Sequence, residues 1–83
     1  MLQVFSVYDT KAEAYCKPVF MMNKAVALRS WIETVNDANS EINKYPADYV
    51  FFHLGSFDEQ RGTFDLLPAP VSMGVAIEFV KAA

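Results

Sequence analysis

The chain contains one cysteine, one histidine and one tryptophan among its 83 residues. A single thiol, Cys16, leaves no intramolecular disulfide to form. Cys16 and His53 stand 37 positions apart and make no metal-ligand spacing. Gly55, Gly62 and Gly74 are too few and too scattered for a phosphate-cradling loop. Positive charge is also in deficit: seven Lys and Arg oppose ten Asp and Glu, for a net charge of −3. No global positive field therefore draws the chain to phosphate or to anionic lipid. This weighs against nucleic-acid binding only in part, because a local basic patch can coexist with an acidic remainder. No run approaches the ~20 apolar residues of a membrane span. The opening Met1-Leu2-Gln3-Val4-Phe5 has neither the basic region nor the long apolar stretch of a signal peptide. The expectation is a cytosolic protein with no membrane partner and no cofactor.

What is abundant is apolar and aromatic surface, 53% and 14% of the residues. Such a composition excludes intrinsic disorder. At this length there is room for one domain, residues 1–83, with one core. A chain so short is marginal unless it is well packed or paired with another copy. Twelve aromatic residues exceed what one small core hides, so some should face solvent, a ligand or a second subunit. A homo-oligomer is expected on that ground, with 49–57 or 71–80 as the contact.

The pattern predicts an α+β domain. Leu2 to Tyr8 is β-branched and aromatic, with apolar residues on both faces, which suits a central strand. A polar turn leads to a second strand, Ala14 to Met22, which Pro18 confines to an edge or breaks. Asn23 is an N-cap, and Ala25, Leu28, Trp31, Ile32 and Val35 recur at helical spacing behind it. Asn36 to Ser40 ends the helix, and a polar connection runs to Tyr45-Pro46. Tyr49 to Phe57 is the strongest strand, and Thr63 to Leu67 pairs back across a loop that ends in Gly62. Pro68-Ala69-Pro70 punctuates the chain. Val71 to Val80 reads as a terminal strand or a short helix, with the strand preferred. Two hairpins would thus form one antiparallel sheet packed on one helix.

The inventory for catalysis is thin. His53 lies in the most apolar strand, and a hydrogen-bonded core histidine explains it better than a general base does. Lys17 beside Cys16 would lower a thiol pKa if exposed, but a small half-buried strand residue is the simpler reading. The carboxylates are spread over loops and outer faces. The expectation is a protein that binds rather than catalyses.

Cations near aromatics carry the remaining signal. Lys11 and Lys17 flank Tyr15, Lys44 adjoins Tyr45, and Arg61 lies in the second loop near Phe57 and Phe64. Single-stranded nucleic acid is held by such a mixture, cations tracking phosphates while rings stack on unpaired bases. The competing reading is that scattered cations on an acidic surface serve solubility and the rings are core. It is favoured by the small number of cations and the lack of a stripe.

Several blocks carry a family resemblance: Ala27-Leu28-Arg29-Ser30, Val35-Asn36-Asp37, Lys44-Tyr45-Pro46-Ala47-Asp48, and Leu54-Gly55-Ser56-Phe57-Asp58 with Gly62 following. The opening strand ending Tyr8-Asp9 and the segment Pro18 to Phe20 match as well. In their order and spacing, over nearly the whole chain, they resemble the small nonstructural protein of gokushoviruses, the single-stranded-DNA microviruses of bacteria. The resemblance implies a DNA-binding phage protein that acts in the host bacterial cytoplasm. Its expected role is in the switch from double-stranded replication to single-stranded genomes for packaging. The resemblance assigns no site residues, so Lys11, Tyr15, Lys17, Lys44, Tyr45 and Arg61 stand on the physical argument. The alternative is a protein–protein adaptor engaging other phage or host proteins without touching DNA.

Overall fold

β1 (Leu2–Asp9) is hydrogen-bonded along both edges, as its two apolar faces require. On one side it pairs antiparallel with β4 (Tyr49–Asp58). On the other it pairs with two short pieces, β2 (Ala14–Tyr15) and β3 (Val19–Met21), the halves of one edge strand broken around Lys17-Pro18. Proline thus does both things expected of it, marking an edge and interrupting it. β5 (Thr63–Val75) pairs with β4 and closes the other side, giving a five-stranded antiparallel sheet. Both hairpins form as expected. The computed structural model describes residues 1–81, so the α+β architecture holds over nearly all of the chain.

Helix α1 (Lys24–Val35) begins at Asn23, whose side-chain oxygen accepts the Val26 N–H at 2.9 Å. Its buried line is Ala27, Trp31 and Val35, four residues apart, whereas Ala25 is exposed. The expected stripe is therefore rotated, with Leu28 and Ile32 half-buried beside its centre line. Trp31 stacks on Phe51 of β4 with ring centroids 5.0 Å apart and planes 8° apart, and Phe51 stacks in turn on Phe5. These residues, with Val35 and Ala76, are the sealed core between helix and sheet.

Three departures from the sequence reading have local causes. The connection after α1 holds a one-turn helix, α2 (Glu41–Lys44), capped by the Ser40 hydroxyl. It is tied to α1 by Asn43 Nδ2 donating to the Val35 carbonyl at 2.9 Å, and Ile42 packs on the core. Pro68 and Pro70 do not end a strand, because β5 runs through them. Its register with β4 jumps from Gly55↔Leu66 to His53↔Val71, so Leu67 to Pro70 bulge out of the ladder where no N–H is needed. Finally, the terminal segment divides. Residues 71–75 finish β5, and Ala76–Phe79 form a 3-10 turn that packs on α1. Asn36 locks that turn: its Nδ2 donates to the Ile32 and Phe79 carbonyls, while its Oδ1 accepts the Lys81 N–H. Asn36→Ala removes three hydrogen bonds at once. At about 1 kcal/mol each it should lower stability by about 2–3 kcal/mol in urea denaturation; no shift would mean that the contacts are made equally well by water.

Candidate nucleic-acid interface

Strand alternation sorts side chains onto two faces with different fates. Phe5, Val7, Phe51 and Tyr49 point to the helical layer and join or border the core. The residues between them form the opposite face, which carries no described helix. There Tyr8 pairs with Tyr15 and Ser6 with Phe52, while Val4 pairs with Phe20 and Leu2 with Phe57, itself opposite Phe64.

The rings on that face gather into two clusters. Tyr8, Tyr15 and Phe52 lie 4.7 to 6.4 Å apart, centroid to centroid. Phe20, Phe57 and Phe64 lie 4.8 to 6.2 Å apart. Such separations are those of favourable tilted and edge-on pairs, so the rings hold one another in place without a covering layer. Val4 and Ser6 are buried on this face, and the Ser6 hydroxyl donates to the Cys16 carbonyl at 2.6 Å. Even so, Tyr15 remains 46% exposed, Phe20 43% and Phe64 55%.

The candidate cations lie at the two ends and the broken edge of the sheet. Lys11 lies in the turn at its Tyr8–Tyr15 end, where Asp9 Oδ1 accepts the Lys11 backbone N–H. Lys17 falls in the gap between β2 and β3, between the two clusters. Arg61 is in the β4–β5 loop, beyond Phe57 and Phe64. Lys11 and Arg61 are separated by the ten residues of β4, about 30 Å of strand. Among the described residues the one ion pair joins the Met1 amine to Glu59, at 3.0 Å, so no Lys or Arg there is held by a carboxylate.

Lys44 and Tyr45 lie elsewhere. They end α2 in the helical layer, with Tyr45 57% exposed, and the following turn is tied to the sheet's end through the Thr10 N–H to the Asp48 carbonyl. This corner is acidic: burial first, then the charges of Asp9 and Glu41, push the Tyr49 phenol above its ordinary pKa. Tyr15 thus lies on the open face, Lys11, Lys17 and Arg61 lie in the loops that border the sheet, and Lys44 and Tyr45 lie in the helical layer. The sequence reading passed over Phe20 and Phe52 as site residues and gave Phe57 and Phe64 only as neighbours of Arg61.

The remaining chemistry-bearing residues have structural places. His53 is buried, stacked on Phe5 at 4.9 Å, with Nε2 2.9 Å from Gln3 Oε1 and 3.0 Å from the Gly55 carbonyl. Two oxygens around one nitrogen identify Nε2 as the protonated position. Cys16 is exposed rather than half-buried, since it sits just outside β2 at the broken edge.

A helix-backed antiparallel sheet with one sealed face and one open aromatic face defines a small α+β protein built around a surface rather than a cleft. The chain belongs to the Phage ORF5 protein family, whose model matches residues 2–79. It is 32% identical over 75 residues to "Protein ORF5" of Chlamydia phage 1, covering 86% of this chain and 74% of that protein. The family agrees with the resemblance to gokushoviral small nonstructural proteins. No solved structure matches. No helix among the described residues is long and apolar enough to cross a membrane.

Proposed function

We propose that this phage protein binds single-stranded DNA on its open aromatic face, without catalysing a reaction, in the host bacterial cytoplasm. Its place is the switch from double-stranded replication to synthesis and packaging of single-stranded genomes. The observation that carries the reading is the pair of partly exposed aromatic clusters on one sheet face, with a cation in the loop at each end and at the broken edge. Lys11, Lys17 and Arg61 supply the charges, and two three-ring groups lie between them. Bases stack on rings regardless of their identity, and unpaired cations track the backbone. The net charge of −3 then acts as a brake on non-specific duplex binding, while stacking supplies affinity that charge does not.

Fluorescence anisotropy with labelled single- and double-stranded oligonucleotides at two salt concentrations tests this. Phe20→Ala should weaken single-strand binding by ~1–3 kcal/mol and leave the salt slope unchanged, as the loss of one stacked base does. Lys17→Ala should weaken binding and flatten the slope by about one released counterion. Lys44→Ala and Tyr45→Ala, in the other layer, should bind as the wild type does. Absence of wild-type binding at both salt concentrations removes the reading and leaves the face to a protein partner, as in an adaptor.

A further inference from the structure

We propose that two copies of this chain pair through the outer edge of β5, antiparallel and two-fold symmetric, joining their sheets into one. β5 is the last strand of the sheet, and among the described residues nothing hydrogen-bonds along its outer side. Alternate residues of an edge strand turn their N–H and C=O outward, so such an edge is a template for another strand. The opposite edge is ill suited to this, being two short pieces broken at Lys17-Pro18. On β5 the stretch Thr63 to Leu66 is regular and contains no proline, and the ladder irregularity begins only after it.

The edge also carries apolar side chains that remain more than half exposed. Phe64 is 55% exposed and Leu66 64%, both on the open face at its margin. A two-fold contact requires one patch to complement itself, and register decides whether this one does. Directly paired residues must share a face, which leaves four pairings within the stretch. Centred on Thr63, Phe64 meets the partner's Gly62 and Asp65 the partner's Arg61, both loop residues outside β5. Centred on Asp65, the two carboxylates oppose each other, which is destabilising. Centred on Leu66, Phe64 meets the partner's Pro68, which has no N–H to give to the ladder. Centred on Phe64, the ring meets the partner's Phe64 and Asp65 meets the partner's Thr63. Gly62 then meets the partner's Leu66, with no like charges opposed and no proline in the ladder. The last register alone brings the two exposed Phe64 rings together with neither like charges opposed nor a proline in the ladder, and it makes the occupant a second copy. An unrelated strand would have no reason to match a stretch so short and so charged at its centre. The joined sheet would carry both open faces on the same side.

The contact is tested without nucleic acid, by light scattering and sedimentation of the full chain at micromolar concentration. Wild type should be a dimer. Phe64→Lys and Phe64→Glu should each be monomeric, since like charges then face across the axis, and their equimolar mixture should be dimeric again. Tyr15→Ser, on the open face but in the ring cluster that β5 does not join, should leave the dimer intact even where it impairs DNA binding. In a Cys16→Ser background, Phe64→Cys should oxidise to an interchain disulfide, because opposed residues lie ~4.5–5.5 Å apart at Cα, within disulfide reach. This arm holds even if the charged variants fold poorly. A monomeric wild type overturns the proposal. So does a dimer that survives Phe64→Lys, or one that Tyr15→Ser dissociates, the signature of a face-to-face stack.

Discussion

Gly55→Ala should destabilise the protein by about 2–6 kcal/mol, enough to unfold a large share of a domain whose total stability is only ~5–15 kcal/mol. Two penalties coincide at this position. Its φ of 155° is one that residues with a Cβ rarely adopt. A Cβ there would also meet the Asp65 carbonyl oxygen at 2.4 Å and the Leu66 Cα at 2.8 Å, both backbone atoms of β5. A side chain can rotate away from an intruder, but a paired strand cannot. Overpacking costs ~1–3 kcal/mol, and the backbone strain adds ~1–3 kcal/mol. Gly62 separates the two terms. It has φ 70° at the end of the hairpin loop, and nothing lies within 4 Å of an added Cβ. Gly62→Ala should therefore cost only about 1 kcal/mol, and Gly62→Asn less, since asparagine tolerates this region. Urea denaturation followed by far-UV circular dichroism reads all three. Equal midpoints for Gly55→Ala and Gly62→Ala would show that the close approach of β4 and β5 is not rigid.

Trp31→Ala is expected to cost ~3–5 kcal/mol, the usual range for removing a large aromatic from a core. Trp31 is 3% exposed and forms the top of a three-ring stack with Phe51 and Phe5 that joins α1 to the two central strands. Its removal opens a cavity which the stacked rings beneath cannot fill, being held in their strands. Trp31→Phe should cost far less than this, for a reason beyond its size. The indole Nε1 is buried without a hydrogen-bond partner, and an unmet buried donor costs ~1–3 kcal/mol. Phenylalanine gives up packing area but also removes that donor, so the two terms oppose each other. Should both variants lose the same stability in denaturant titrations, the donor is not a liability and the stack tolerates no smaller ring.

Much of this architecture was legible because single residues decided it. Asn23 placed the start of α1, Pro18 marked a broken edge, and Gly62 closed the second loop. Periodicity found α1 but set its buried side about a sixth of a turn off. The expected stripe shares Trp31 and Val35 with the buried line but includes Ala25 in place of Ala27, and only the position of the sheet tells the two apart. The prolines at 68 and 70 misled for a related reason: whether a missing N–H matters depends on whether a partner strand wants it, and a bulged edge does not. α2 escaped notice because a single turn has no periodicity to detect.

The candidate site was legible in its residue types but not in its placement. Tyr45 and Tyr15 look alike beside their lysines, yet one caps a helical turn and the other lies on the open sheet face. That difference arises from pairings far apart in sequence, such as Leu2 with Phe57, which no local pattern announces. One signal was available. Phe57 and Phe64 stand equally far from the loop between Asp58 and Thr63, so a tight hairpin had to set them side by side. Their shared face could not be assigned without β1.

The division of the sheet into a sealed and an open side has a consequence for how such a protein changes over time. The rings that hold α1 down and the rings on the other surface belong to alternate positions of the same strands, and they hardly touch. Phe20 or Phe64 can be exchanged without disturbing Phe5, Phe51 or Trp31, so a lineage can try new surfaces on an unchanged interior. The exposed rings Tyr15, Phe20 and Phe64 are thereby free to follow the needs of a changing host, while Val4, Ser6 and Gly55 on the same side are not, being buried or closely packed. The residues beneath the helix answer to the core, so the two sets should drift at different speeds along one continuous stretch of chain.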